Sequence, residues 1–311
     1  MRIGILCSNH IAVPTVQLLM KHHEIVGIGI PEDGREMRHI VERVTFGSDI
    51  KVTTMSRRAI KNQMTEWIET TQPDIVLVAT FPFKIPADLL SIPAYGFLNL
   101  HFGLLPEMRG PDPVFESIRQ QKSKAGATIH VIDSSFDTGP IVKREEFPLP
   151  AHFTYGMLSA KLAHTGAEMA LTTLNDIQDQ KTVPSAAQNE TNSCYYPALT
   201  AQQLAISWPG MSSRDIIALI NSMNPVSRSG TPTSVNGWNI GICYATLVNL
   251  SGDTTGYTPG RILTVDPQNG LLIFAKDNIA IKAEIIYTEE GYFPGYILAA
   301  FGIQPGMTFG T

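Results

Sequence analysis

Three apolar runs, Ile3–Cys7, Glu24–Ile30 and Asp74–Phe81, constrain this chain more than any other feature. The third reads D-I-V-L-V-A-T-F, with no alternation of polar residues. A strand that is apolar on both faces must be covered on both faces, as in a parallel sheet sandwiched between helices. Between the runs lie stretches with helical spacing. Val13–Lys21 places Val13, Val16, Leu19 and Met20 on one face behind the helix-starting Pro14, and Ile60–Thr70 reads the same way. Strands separated by helices predict a doubly wound, mostly parallel α/β domain. Gly126–Asp133 supplies a further strand, and Tyr155–Ile177 a long helix with apolar Leu158, Leu162, Ala163, Met169 and Leu174.

The pattern then breaks. Gln178–Ser193 is polar and carries Pro184, so it reads as a linker. Beyond a short helix at Ser213–Asn221 come brief strand runs, Gly241–Leu250, Gly260–Val265, Leu271–Ala275 and Ile279–Tyr287, punctuated by Gly, Pro and Asn. They predict a small β-rich, OB-like domain. The division expected is 1–177, a linker at 178–200, and 201–311. A chain of 311 residues suits about two domains. Hydrophobic residues at 43% and charged ones at 16% favour collapse over disorder. Cys7, Cys194 and Cys243 form no C-x-x-C pair and read as free thiols of a reducing compartment. No apolar stretch reaches the roughly 18 residues needed to span a bilayer. A soluble, cytoplasmic protein without a membrane partner is expected.

The chemistry gathers between Asn99 and Val142. Asn99 and His101 are two residues apart at the end of an apolar run, so in a strand they point the same way. In open α/β sheets, ligands bind beyond the carboxyl ends of the strands. Gly103, Pro106, Gly110, Pro111 and Pro113 then impose turns, and Asp137-Thr138-Gly139-Pro140 follows another strand. An amide, an imidazole and a carboxylate converging on one crevice suit acyl transfer. The amide donates to a developing oxyanion, the imidazole moves a proton near neutral pH, and the carboxylate orients the imidazole or a water. Spacing alone equally describes a satisfied polar pair followed by an ordinary turn. His130 and Asp133 with His101 and Asp137 would also compose a metal site, although no tight ligand pair accompanies them.

The block Asn99-Leu100-His101-Phe102-Gly103-Leu104-Leu105-Pro106, with Arg109-Gly110 and then Asp137-Thr138-Gly139, resembles the 10-formyltetrahydrofolate-dependent formyltransferases. Ala12-Val13-Pro14, Phe83–Leu90, Cys194-Tyr195-Tyr196-Pro197 and Ile206-Ser207-Trp208 extend the resemblance along the two-domain layout of the branch that acts on methionyl-tRNA. It implies transfer of formyl from the folate co-substrate to a primary amine, with no metal. Asn99 would polarise the formyl oxygen, His101 would transfer protons, and Asp137 would hold a water and tune His101. The pterin would meet the backbone of two loops, at Phe83, Ile85 and Leu89 and at Ile132, Asp133 and Gly139, with Leu104 nearby. Two departures stand out. Gly103 replaces the family's usual serine, and the loop after the first strand reads C-S-N-H-I.

Charge bears on the acceptor. Net charge is -5, so tRNA binding would need a local basic patch. Where tRNA-acting relatives carry a basic loop, Arg35, Arg38, Arg43 and Lys51 are offset by Glu32, Asp33, Glu36, Glu42 and Asp49. Residues 200–311 hold Arg214, Arg228, Arg261, Lys276 and Lys282 against Asp215, Asp253, Asp266, Asp277, Glu284, Glu289 and Glu290, five against seven. A small or carrier-bound amine, such as an amino-sugar nucleotide, is therefore the expected acceptor. Initiator tRNA and water (hydrolysis of the formyl folate) are the alternatives. Trp208, Trp238 and the tyrosines of the second domain could stack on a base or sugar, with core packing the favoured reading.

Overall fold

The computed structural model describes residues 1–252 and 254–310; Asp253 and Thr311 lie outside the described residues. The first half runs β1 (Arg2–Cys7), α1 (Val13–His22), β2 (Glu24–Pro31), α2 (Arg35–Val44), β3 (Lys51–Met55), α3 (Ile60–Thr71), β4 (Ile75–Ala79), β5 (Phe97–His101), α4 (Pro113–Arg119), β6 (Lys124–Val131), β7 (Ile141–Pro148) and α5 (Tyr155–Gln180). The second runs α6 (Ser213–Met223), β8 (Thr231–Val235), β9 (Trp238–Asn249), β10 (Ile262–Asp266), β11 (Gly270–Phe274), β12 (Ile279–Thr288), β13 (Gly291–Pro294) and β14 (Phe309–Gly310). Two compact units result. One holds Met1–Pro113, Lys124–Pro148 and Ser159–Pro197; the other holds Val114–Ser123, Leu149–Leu158 and Ala198–Thr311. Sequence position gave no hint that 114–123 and 149–158 pack with the second unit.

In the first unit the strand order is β3-β2-β1-β4-β5-β6-β7. The five strands from β3 to β5 are parallel, β6 runs antiparallel to β5, and β7 runs antiparallel to β6. The predicted doubly wound sheet is thus present, with an antiparallel edge. Its apolar runs are buried on both faces as expected. Leu6, Met55, Val76, Val78 and Phe97 pack with Met64, Trp67 and Ile68 of α3. Small residues make room for Trp67: a Cβ at Gly4 would lie 2.5 Å from its ring. On α5, a Cβ at Gly166 would lie 2.9 Å from Phe102 and 3.1 Å from Leu100, so the helix lies close against these residues. Two strands escape the sequence reading. β3 is short and polar, and β7 (I-V-K-R-E-E-F-P) carries the charges that protect a sheet edge.

The second unit is an antiparallel sheet in the order β10-β11-β12-β9-β8-β14, with β13 on β12. It curls until its ends meet, the Ile262 N–H donating to Met307 O (2.8 Å) and the Phe309 N–H to Gly260 O (2.9 Å). Trp208 is fully buried, donates from Nε1 to Thr233 Oγ1 (2.9 Å), and lies beside Phe309. Trp238 departs from the expected core position. It follows the two-residue turn Asn236–Gly237, both at positive φ, at the tip of the β8–β9 hairpin, and is 40% exposed. Tyr244, Tyr257 and Tyr292 are exposed as well. None of the helices among the described residues is long and apolar enough to cross a membrane.

Candidate active site

The register of β5 on β6 builds the site. Asn99 pairs with His130 and His101 with Thr128. Alternation sends Asn99 and His101 to one face, and the antiparallel partner strand adds a second imidazole and a hydroxyl. Asp137 enters from the loop between β6 and β7. It adopts a left-handed conformation (φ 58°), which Asp tolerates better than most residues.

Backbone carbonyls set both imidazole tautomers, because a carbonyl can only accept. His101 Nε2–H donates to Met108 O (2.7 Å), and His130 Nδ1–H donates to Val131 O (2.8 Å). The opposite nitrogens therefore turn their lone pairs towards Asn99 and Asp137. Asn99 Nδ2 donates to His130 Nε2 (3.1 Å) and reaches Asp137 Oδ1 at 3.5 Å. Asp137 Oδ1 lies 3.5 Å from His101 Nδ1 and 3.7 Å from His130 Nε2, while Oδ2 accepts the Gly110 N–H (3.0 Å). Thr128, fully buried, fastens the loop after His101: its Oγ1 donates to Gly103 O (2.7 Å) and accepts the Leu105 N–H (3.1 Å).

His101 is buried, and burial lowers its pKa below the ordinary 6.5, with His130 adding to the effect and Asp137 and Met108 O opposing it. Burial by itself would raise Asp137. The contacts from His130, His101 and the Gly110 N–H outweigh it and hold the carboxyl below 3.8. At neutral pH the site thus presents an uncharged base beside a carboxylate. The acid limb of kcat/KM should accordingly fall below pH 6.5: as pH drops through the lowered value, His101 gains a proton and can no longer accept one, while Asp137 is still charged. A kcat/KM profile from pH 4.5 to 8 checks this, and a limb above 6.5 would refute it.

The residues expected at the pterin fall into two groups. Ile85 and Leu89 are buried with Leu6, Met55 and Phe97, so their side chains serve the core and only their backbone remains for a ligand. Phe83 is half-buried, edge-on to Phe81 with the Arg57 guanidinium over its ring (5.3 Å). Leu104 is buried, packing over Gly126 of β6. Ile132 N–H donates to Phe97 O (2.9 Å), which ties this loop to β5. The Asp133 carboxylate is taken by the Ser135 N–H and the Thr138 hydroxyl. Gly139 has no space for a side chain, since a Cβ would lie 1.7 Å from Val131 O.

The change at Gly103 has a local reason. A Cβ there would come within 2.5 Å of the Pro113 Cβ and 2.9 Å of His101 Nε2, so the serine usual in the family does not fit this packing. Three partners escape the sequence reading: Thr128, the Met108 carbonyl and Gln188 carry no signal, whereas Arg109 stands in the resembling block without a role. By spacing alone, His130 reads only as a candidate metal ligand. T-x-H on the strand after N-x-H was the available clue, but it needs the register to be read. Among the described residues, no group of three or more His, Cys, Asp or Glu side chains is arranged to hold a metal ion.

An imidazole, an amide donor and a carboxylate thus meet beside a doubly wound sheet. A sequence profile described as formyl transferase matches residues 6–174. The chain belongs to that family, the 10-formyltetrahydrofolate-dependent formyltransferases, and is a folate-dependent N-formyltransferase. The methionyl-tRNA formyltransferase of Clostridium tetani is 26% identical over 296 residues, covering 93% of each chain. That of Nitrosomonas eutropha is 30% identical over 78% of this chain and 74% of its own. The fold is shared with an N-formyltransferase from Helicobacter canadensis solved with folinic acid and dTDP-3-aminofucose (TM-score 0.68, 21% identity, 90% of this chain and 98% of that one). It is also shared with HypX from Aquifex aeolicus in complex with tetrahydrofolic acid (TM-score 0.65, 17% identity, 96% and 46%).

Proposed function

We propose that this chain moves the formyl group of 10-formyltetrahydrofolate to a small or carrier-bound primary amine, such as an amino-sugar nucleotide, with Asn99, His101 and Asp137 at the reacting centre. The observation that carries the chemistry is that His101 Nδ1 and the Asn99 amide each lie 3.5 Å from the Asp137 carboxylate. The amine attacks the formyl carbon. Its proton passes to His101 Nδ1, and the Asp137 carboxylate stabilises the imidazolium. The second Asn99 N–H, held only loosely by Asp137, donates to the oxygen as it gains negative charge. The proton then goes to N10 of the folate as its bond to the formyl carbon breaks. These steps are assigned to residues 1–177, and none of them calls for a metal. The pterin is assigned to the backbone of the loops carrying Phe83, Ile85 and Leu89 and carrying Ile132, Asp133 and Gly139, with Leu104 at the edge.

Charge supports the choice of acceptor. α2, in the segment where tRNA-acting relatives are basic, buries Met37 and Val41 and pairs Arg38 with Glu42 (2.7 Å). In the second unit Lys282 is paired with Glu284 (3.0 Å) and Lys276 donates to Gly210 O. Each phosphate needs its own cation, and in both regions acidic residues match or outnumber the basic ones. A specific observation favours the second reading, initiator tRNA: this chain aligns with 93% of the C. tetani methionyl-tRNA enzyme. Absorbance-monitored release of tetrahydrofolate decides, run without acceptor, with charged initiator tRNA, and with amino-sugar nucleotides. Turnover with small amines alone is expected. Turnover with tRNA alone would reverse the choice, and turnover with water alone would make the protein a formyl-folate hydrolase.

A further inference from the structure

The polar segment after α5 reaches the reacting centre through one side chain. Arg109, 8% exposed, forks onto the Glu190 carboxylate at 2.7 and 3.0 Å. The same guanidinium donates from Nε and one terminal nitrogen to Gln188 Oε1 (3.3 and 2.7 Å). A guanidinium offers only donors, so the Gln188 amide can face it in one orientation alone. Both hydrogens of Nε2 then point the other way and are used, on Asp137 O (2.9 Å) and Gly139 O (2.8 Å). Neighbouring backbone contacts keep the segment in place. Ala186 exchanges hydrogen bonds with Ile141, Arg109 N–H donates to Cys194 O, and Tyr196 N–H donates to Arg109 O. Gly110 permits this approach, because a Cβ there would lie 2.1 Å from Tyr196 O.

We propose, on the reading of Asn99, His101 and Asp137 given above, that Gln188 is a positioning residue for formyl transfer. Braced by Arg109, its amide holds the backbone on either side of Thr138 and so sets where the Asp137 carboxylate meets His101 and His130. Asp137 is the residue of this loop that needs such support. It is left-handed, and its carboxylate must serve the Gly110 N–H and two imidazoles together. The charged and titratable groups around it are His101 on β5, His130 on β6, Asp133 on its own loop, and Arg109 with its counter-ion Glu190. Because Glu190 meets the Arg109 charge, Gln188 transmits position rather than charge.

Gln188→Glu separates anchoring from positioning. A carboxylate still accepts from Arg109, so the segment stays attached, but it has no hydrogen for the carbonyls of Asp137 and Gly139. A misplacement of about 1 Å in a reacting geometry costs on the order of 10²-fold in rate. Gln188→Glu and Gln188→Met should therefore lower kcat by about 10- to 100-fold, and the folate KM should rise as well, because the released Gly139 carbonyl belongs to the loop assigned to the pterin. In the neutral Gln188→Met, withdrawal of the carboxylate should also move the His101 titration, followed by ¹⁵N-histidine NMR, to lower pH. Asn189→Ala is the control. It removes the side-chain cap of the 190–192 turn in the same segment without touching Asp137, and it should keep wild-type kcat. The proposal falls if Gln188→Met leaves kcat and the His101 titration unchanged. It also falls if Asn189→Ala loses as much activity as the Gln188 variants at equal folded fraction. Failure of the underlying reading looks different: His101→Ala would retain transfer, while the His101 titration in Gln188→Met would still report on the loop.

Discussion

His101→Ala is expected to lower kcat for formyl transfer by about 10² to 10⁴-fold, the range for losing a general acid–base group. Two effects are combined in that substitution. The base is lost, and Met108 O, which accepts from Nε2 at 2.7 Å, is left without its donor in a buried loop. Stranding a buried acceptor costs about 1 to 3 kcal/mol, so some of the lost activity would come from unfolding. His101→Gln separates the effects, since its amide retains an N–H for Met108 O but provides no base. If His101→Gln is as folded as wild type by thermal melting and as inactive as His101→Ala, proton transfer is the function of the imidazole. A His101→Gln enzyme with wild-type kcat would overturn that role.

Asn99→Ala should cost about 10² to 10³-fold in kcat, the usual loss for one oxyanion donor. The folate KM should change much less, because the donor matters most once the oxygen has gained charge. Asn99→Asp offers a sharper contrast at nearly constant volume. It replaces the donor by a carboxylate against Asp137, whose Oδ1 is 3.5 Å from the present Nδ2. Like charges at that distance disfavour ionisation of both. Activity of Asn99→Asp should fall to or below that of Asn99→Ala, and single-turnover rates with saturating folate would show it. If Asn99→Asp were faster than Asn99→Ala, the amide would not be donating to an oxyanion.

The parts of the site visible in the sequence were those encoded locally. Asn99 and His101 share a face because a strand repeats every two residues, and Asp137 stands in a turn after the next strand. The partners that set their protonation are not local. His130 meets Asn99 only through the β5–β6 register, and Met108 O reaches His101 only because the loop folds back. Gln188, 51 residues beyond Asp137, lies in a polar stretch whose composition suggested a linker. The doubly wound sheet was legible from its apolar runs, whereas β3 and β7 were not, since edge strands carry polar and charged residues like those of loops. Trp238 was misjudged for a related reason: bulk and apolarity argue for the core, but its place at a hairpin tip leaves it exposed.

By itself, then, the sequence determined the layered α/β architecture, the curled β-rich second unit and the choice of Asn99, His101 and Asp137 as the candidate site. Each of these follows from hydrophobic periodicity or from residues a few positions apart, where covalent geometry fixes which groups face one another. Tertiary structure alone decided which imidazole nitrogens carry protons, why position 103 is glycine and which distant amide steadies Asp137. Those features depend on hydrogen bonds and close contacts between segments far apart in the chain. Hydrogen bonds hold only within a narrow range of distance and angle, and only the packed fold brings such partners together.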